Sequence, residues 1–159
     1  MKIFKNLMVA FLLFGALSAC KKSEGGDTQI GSGSMSAKVD GKDWTAGLAV
    51  QASKAGGVLA LGGTGNGAQI NINIIAYSGP KSYPLGGPAT GINPNQAIYT
   101  ITNPLPPVAY NTMVGLGNGS LNVTKDEGGY VEGTFSYTAR NQAGVTVTIT
   151  DGKFKAKVQ

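Results

Sequence analysis

Residues 68–77 read AQININIIAY, and this stretch decides the fold class because its side chains alternate with a period of two. Isoleucines occupy positions 70, 72 and 74, whereas positions 69, 71 and 73 all carry side-chain amides. Successive side chains of a β-strand point to opposite faces, so one apolar and one polar face are typical of a sheet that covers a core on one side. The stretch therefore predicts a half-buried antiparallel strand.

The same alternation recurs along the chain. It is found in DWTAGLAVQA at 43–52, YVEGTFSYTA at 130–139 and VTVTIT at 145–150, and in the first of these Leu48 belongs to the apolar face. Shorter candidate strands lie at 57–61, 82–85, 97–102, 112–116 and 120–124. The 25 glycines and 7 prolines interrupt the chain too often for long helices. Many short strands separated by turn residues predict an all-β fold, either an antiparallel β-sandwich or, alternatively, a small β-barrel.

The C-terminal stretch has two interpretations. If Asp151-Gly152 is a two-residue type I′ turn, residues 145–158 form a hairpin with three apolar pairs on one face, including Ile149 opposite Phe154. A bulge at Gly152 within one long strand would shift the alternation in the same way. We predict the hairpin and keep the bulge as the alternative. Further turns are predicted at 125–129 and 140–144.

The N-terminus has the pattern of an exported protein. Two lysines precede an uncharged, largely apolar segment at 7–17, which is shorter than the ~20 residues of a membrane-spanning helix and typical of a signal peptide. Residues 17–20, LSAC, resemble the lipobox of bacterial lipoproteins, and this resemblance implies that Cys20, the only cysteine, becomes the lipidated first residue. We predict a removed signal peptide at 1–19, the lipidated cysteine and a flexible linker at 20–34, and one antiparallel β domain at 35–159.

Composition excludes several classes of function. The chain has no histidine and its one thiol is predicted to carry lipid, which excludes Ser-His-Asp and Cys-His nucleophiles and the usual zinc sites. The formal net charge falls from +5 to +3 when Lys2 and Lys5 leave with the signal peptide, and no basic cluster of nucleic-acid size remains. GGTGNG at 62–67 lacks the lysine and helix of a phosphate-binding loop and is predicted to be a loop between strands. We expect no enzymatic activity, cofactor, metal site or nucleic-acid partner.

Eight carboxylates remain as candidates for hydrolytic chemistry, which needs two of them facing across a cleft. Asp40, Asp126, Glu127 and Asp151 adjoin or lie near glycines in predicted turns, where such side chains bond to the backbone. Glu132 lies on the polar face of a predicted strand. A carboxylate-dependent hydrolase is therefore a distant alternative.

Four tyrosines in or beside the proline-rich region at 80–107 are the candidate ligand contacts, namely Tyr77, Tyr83, Tyr99 and Tyr110. An exposed ring on a β-face can stack on the apolar face of a sugar. Tyrosine also serves as half-buried packing at strand ends, with its hydroxyl bonded at the surface. Both roles are consistent with the sequence.

The order of several motifs is similar to that of a known family. The motifs KVDGKDWTA, GVLALGGTG, INIIAY, YPL, AIYT and VEGTFSYTARNQAGVTVTITDGKF resemble those of small envelope lipoproteins from Bacteroidota-type Gram-negative bacteria, known only as a domain of unknown function. The resemblance covers nearly all of residues 35–154. It implies attachment to the outer membrane through lipid on Cys20, on the periplasmic face or at the cell surface. Acidic residues after the cysteine accompany surface export in such bacteria, and Lys21 and Lys22 depart from that pattern.

Together these observations favour a non-catalytic binding module for a glycan, a peptide or an envelope protein. The alternative is a structural accessory subunit of an outer-membrane complex.

Overall fold

The computed structural model describes residues 33–88, 93–103 and 105–159. All regular structure in these ranges is β, which confirms the all-β prediction. Within them no helix is long and apolar enough to cross a membrane. The predicted signal peptide, Cys20 and most of the linker lie outside the described residues. The strands are β1 (Ser34–Val39), β2 (Lys42–Thr45), β3 (Leu48–Ala55), β4 (Val58–Gly65), β5 (Ala68–Ile74), β6 (Ser82–Gly86), β7 (Gln96–Ile101), β8 (Val108–Asn111), β9 (Asn118–Glu127), β10 (Tyr130–Arg140) and β11 (Thr146–Val158).

These strands belong to one mixed sheet of 11 strands, which folds into two layers of antiparallel pairs. One layer has the order β2-β1-β11-β10-β9-β6, and the other has the order β3-β4-β5-β7-β8. The layers are joined along both sides, because the end of β11 pairs in parallel with β3 and the end of β10 pairs with β8. The fold is therefore a sandwich in which seven strands also form a closed ring in the order β11-β3-β4-β5-β7-β8-β10. It combines features of the predicted sandwich and of the barrel alternative.

One hydrophobic core fills the space between the layers. Ile70, Ile72 and Ile74 of the opening stretch are fully buried in it. Burying each of these side chains stabilises the fold by ~1.5–3 kcal/mol, which specifies the register of β5 because a one-residue slip would expose all three. The layers approach closely where β4 has no side chain, since a Cβ atom added at Gly63 would lie 3.2 Å from Met35 Sδ of β1.

The predicted C-terminal hairpin is wrong, and the bulge is correct. β11 is one strand that pairs with β10 along its length and with β1 on its other side. Phe135 and Tyr137 of β10 pair with Gly152 and Ile149 of β11, so the register shifts at Asp151, whose φ is +53°. Two neighbouring strands bond to this segment, and their pairing outweighs the local tendency of Asp-Gly to turn.

Three other strand predictions need correction. Leu48 is 55 % exposed rather than buried, because Ala49 has a φ of +53° and the register between β3 and β4 shifts between Leu48 and Gln51. The predicted strand at 112–116 is absent, and the strand lies just before it at β8. The residues at 62–65 lie in β4, so only the last two residues of GGTGNG form a turn.

Turns form within both predicted ranges, 125–129 and 140–144, but they are shorter than predicted, because β9 extends to Glu127 and β10 to Arg140. Gly128 and Gly129 have φ values of +60° and +77°, as a two-residue type I′ turn between β9 and β10 requires. In the next turn Gly144 N donates to Asn141 O at 3.0 Å.

Candidate ligand-binding site

The outer face of β3, β4 and β5 forms a concave surface with a volume of about 560 Å³. Side chains that point away from the core supply most of its lining, and none of the lining side chains is charged. The lining consists of amide, hydroxyl and small or apolar residues, namely Ala49, Gln51, Ala52, Ser53, Ala60, Leu61, Gly62, Thr64, Gln69, Asn71, Asn73, Ile98 and Gln159. We call this surface the amide trough.

Strand register arranges the trough as a floor between two walls. Gly62 of β4 lies between Gln51 of β3 and Asn71 of β5, and Ala60 lies between the residues at 53 and 73 in the same way. Neighbouring strands are ~4.8 Å apart, so the two walls stand roughly 10 Å from each other. Small residues on the middle strand and longer amides on both sides create the concavity.

Gly62 allows one wall to lean over the floor. A Cβ atom at this position would lie 2.6 Å from Asn71 Oδ1, closer than a real Cβ atom tolerates. The nearest backbone atom, Ile70 O, would lie 3.4 Å from this Cβ atom, which is an ordinary van der Waals contact. A methyl group at position 62 would therefore displace the end of the Asn71 side chain without a clash against the backbone.

The side-chain amides of the trough differ in their hydrogen bonding. Gln159 Nε2 donates to Gln51 Oε1 at 2.9 Å, which orders the β3 wall. No hydrogen bond within the described part of the chain engages the side-chain amides of Gln69, Asn71 and Asn73. Each of these amides offers two donor hydrogens and an acceptor oxygen to a ligand.

All residues that line the trough, except Gln159, lie in the part of the chain that matches a known protein family. The sequence profile of the family described as "Domain of unknown function (DUF6252)" matches residues 31–157. The chain belongs to DUF6252. No curated protein matches it. The resemblance to a domain of unknown function is thereby confirmed, and the DUF6252 range contains all three strands that form the trough.

Two of the tyrosines predicted to contact ligand, Tyr77 and Tyr83, pack on each other with ring centroids 5.5 Å apart. Tyr83 is only 4 % exposed, and its hydroxyl donates to Gly79 O at 2.7 Å and accepts from Ser78 N at 3.0 Å. Half-buried Tyr77 donates its hydroxyl to Asp126 Oδ2 at 2.9 Å. Of the two roles that the sequence allows, the ring of Tyr83 has the packing role, because it is buried in the core of the DUF6252 fold.

The other two, Tyr99 and Tyr110, are directly paired across β7 and β8, with ring centroids 6.1 Å apart. Tyr99 is 8 % exposed and its burial raises the pKa of its hydroxyl, whereas Tyr110 is half-buried against the core. Its neighbour Ile98 lines the trough, so Tyr99 lies on the opposite face of the sheet. The ring of Tyr99 is therefore on the core side of the sheet, and the lining of the trough contains none of the four tyrosines. A ligand role for them stays a prediction.

Asp126 lies in β9 rather than in the predicted turn, and it joins the two layers. Its carboxylate accepts from Lys54 Nζ of β3 at 2.7 Å and from the Tyr77 hydroxyl. The hydrogen bond from Lys54 holds the pKa of Asp126 below its usual value, and the Tyr77 hydrogen bond acts in the same direction.

In the described ranges no three His, Cys, Asp or Glu side chains form a group that could hold a metal ion.

Sequence reasoning does not single out the amides of the trough. Polar side chains on the outer face of a strand are expected in any half-exposed sheet, so Asn71 and Asn73 read as ordinary solvent-facing residues. The available signal was the absence of charge at 69, 71 and 73, where exposed positions often carry Lys or Glu.

Proposed function

We propose that this DUF6252 protein is a lipid-anchored, non-catalytic binding module of a bacterial cell envelope, and that the amide trough is its ligand site. The observation that carries the proposal is an uncharged concave face on three adjacent strands, with side-chain amides at 69, 71 and 73 that bond to nothing else in the described ranges. Strands paired on both sides present these amides with little freedom to lose on binding. Amides bind through hydrogen bonds and transfer no protons near neutral pH, which favours recognition over catalysis.

The envelope location rests on the N-terminal pattern. The lipobox-like LSAC places a diacylglyceryl group on Cys20 and an acyl chain on its new amino terminus, and two or more chains hold a protein stably in a bilayer. Residues 21–32 span at most roughly 40 Å when extended. Gly33, where the described chain begins, lies beside Val50 of β3, so the linker joins the domain next to one wall of the trough. We place the protein on the outer membrane of a Bacteroidota-type bacterium, facing the periplasm or the cell surface.

The anchor is tested by labelling cells with an alkyne analogue of palmitate. We expect the full-length protein to incorporate the label and to sediment with membranes, because acylation at Cys20 is its attachment. The Cys20→Ser variant should lose both properties, whereas Ser23→Ala, three residues away, should keep them. A wild-type protein found soluble with a free thiol would contradict the anchor.

The binding function is tested separately with the full chain carrying Cys20→Ser, added to washed envelopes of cells that lack the gene. We expect saturable binding that falls about tenfold in the double variant Asn71→Ala/Asn73→Ala, since each lost hydrogen bond weakens binding. Asn122→Ala on the outer face of β9 is the matched control and should bind as before. Equal binding by the double variant would contradict the trough as the site.

A second candidate function, as an accessory subunit of an outer-membrane complex, is favoured by the loop between β8 and β9. Met113, Val114 and Leu116 are exposed there within four residues. Neighbouring exposed apolar side chains are a feature of protein interfaces. Stoichiometric co-purification of one membrane protein, lost in Met113→Ser/Leu116→Ser and retained in the trough variant, would establish this function instead.

A further inference from the structure

We infer that the ligand of the amide trough is a neutral, hydroxyl-rich glycan chain that lies along β4 over Ala60 and Gly62. This inference rests on the proposed binding function and names the class of ligand. It follows from three properties of the trough: its charge, its hydrogen-bonding groups and its shape.

The trough selects against charged ligands. None of the side chains lining it is ionisable. A carboxylate, phosphate or ammonium group that leaves water to enter it would find no oppositely charged side chain in the lining to compensate the lost hydration. Lys153 and Lys155 lie on the outer face of β11 in the other layer, and Lys157, which pairs with Gln51 of the β3 wall, is not among the lining residues.

The hydrogen-bonding groups match hydroxyls. A sugar hydroxyl both donates and accepts, and so does a carboxamide, so Gln69, Asn71 and Asn73 can each bond to one or two hydroxyls in either direction. Ser53 in the β3 wall and Thr64 in β4 itself add hydroxyl groups of the same kind.

The shape fits one extended chain. Walls roughly 10 Å apart, set by two strand spacings, leave room for a single row of rings above the small floor residues. The volume of about 560 Å³ is within the ~300–1,000 Å³ of sites that hold small ligands, so the trough accommodates a short segment of a longer polymer. Ala60 and half-buried Ile98 supply apolar surface for the C–H groups of the sugar, in place of an aromatic ring.

The test measures affinity of the full-length protein in detergent for three sets of oligosaccharides: neutral ones such as glucans, mannans and xylans, anionic ones such as oligogalacturonate, and cationic chitosan oligomers. We expect binding to at least one neutral set and to neither charged set. Asn71→Ala/Asn73→Ala should weaken that binding about tenfold.

Two further variants separate shape from hydrogen bonding. Ala60→Leu keeps every amide but fills the floor, and it should abolish glycan binding. Asn122→Ala, on the other layer, should leave the affinity unchanged. Thermal unfolding of each variant establishes that it is folded before its affinity is compared.

Binding to the anionic or cationic set in preference to the neutral ones, or to none of the three, would overturn the glycan inference. If a membrane protein bound instead, and lost affinity in Asn71→Ala/Asn73→Ala, the glycan would be wrong but the binding function at the trough would stand. If no ligand from envelopes depended on Asn71 and Asn73, both proposals would fall.

Discussion

The Asp126 carboxylate links three separate parts of the molecule. Asp126 lies in β9, and its Oδ1 forms an ion pair with Lys54 Nζ of the other layer at 2.7 Å. Its Oδ2 accepts a hydrogen bond at 2.9 Å from the hydroxyl of Tyr77, which lies in the loop after β5. Only 15 % of its side chain is exposed, so the interaction is less screened by solvent than a surface ion pair. Sequence alone could not find this contact, because its partners are distant along the chain and Asp126 adjoins a glycine turn that explains it locally.

We predict that Asp126→Asn lowers the free energy of unfolding by about 1–2 kcal/mol at pH 7, allowing for the partial exposure of Lys54. The folded-state pKa of Asp126 lies below its ordinary value of 3.8, so its contribution is present above that value and is lost as pH falls through the folded-state pKa. Urea denaturation should therefore show the two proteins converging in stability as the pH falls through the folded-state pKa of Asp126. A stability difference that does not shrink as the solution is acidified would contradict the assignment.

Tyr137 presents the opposite situation, a buried hydroxyl without a hydrogen-bond partner among the described residues. Its ring stacks on Phe135 with centroids 6.3 Å apart, and burial raises the pKa of its hydroxyl. We predict that Tyr137→Phe raises the free energy of unfolding by about 1 kcal/mol, because the ring stays and an uncompensated desolvation cost disappears. The matched control is Tyr83→Phe, which loses two hydrogen bonds and should be destabilised by a similar amount. Equal losses in chemical denaturation of both variants would refute this.

At the scale of strands, alternation predicted most of the fold. Residues with a strict period of two, such as those of β5 and β10, fold as predicted because one-sided burial leaves a single workable register. The strand predictions failed where the same pattern of apolar residues is compatible with two different structures. The apolar residues at 113–116 look like a strand yet form an exposed turn, and the hairpin and bulge at Gly152 give the same alternation. Only pairing with distant strands distinguishes such cases.

The bulge in β11 is tested through Gly152. A Cβ atom there would lie 2.5 Å from Phe135 Cδ2 and closer still to Phe135 O, so backbone must move to accept it. We predict that Gly152→Ala destabilises the protein by about 2–4 kcal/mol, measured as the urea dependence of tryptophan fluorescence. Gly47→Ala, where nothing lies within 4 Å and φ is not in the left-handed region, should change stability by less than about 0.5 kcal/mol. A tolerated alanine at 152 would contradict the close approach of Phe135 to this position in the bulge.

At the scale of the whole molecule, the trough depends on which strands are neighbours. The sequence identifies the polar faces of β3 and β5, but not that β4 separates them or that its small residues form a floor between amides. The aromatic residues that suggested a ligand surface instead pack on or near the core, because their strands turn them inward. Identifying the candidate site therefore required the tertiary structure.

The central claim is that the side-chain amides of β5 contact a neutral glycan, and amide resonances report on it directly. We would titrate neutral oligosaccharides into ¹⁵N-labelled full-length protein in detergent and follow the side-chain NH₂ signals. We expect saturable shifts for Asn71 and Asn73, whereas the signal of Asn122 should stay unchanged. Unchanged signals for Asn71 and Asn73 at saturating oligosaccharide, or shifts confined to the other layer, would contradict it.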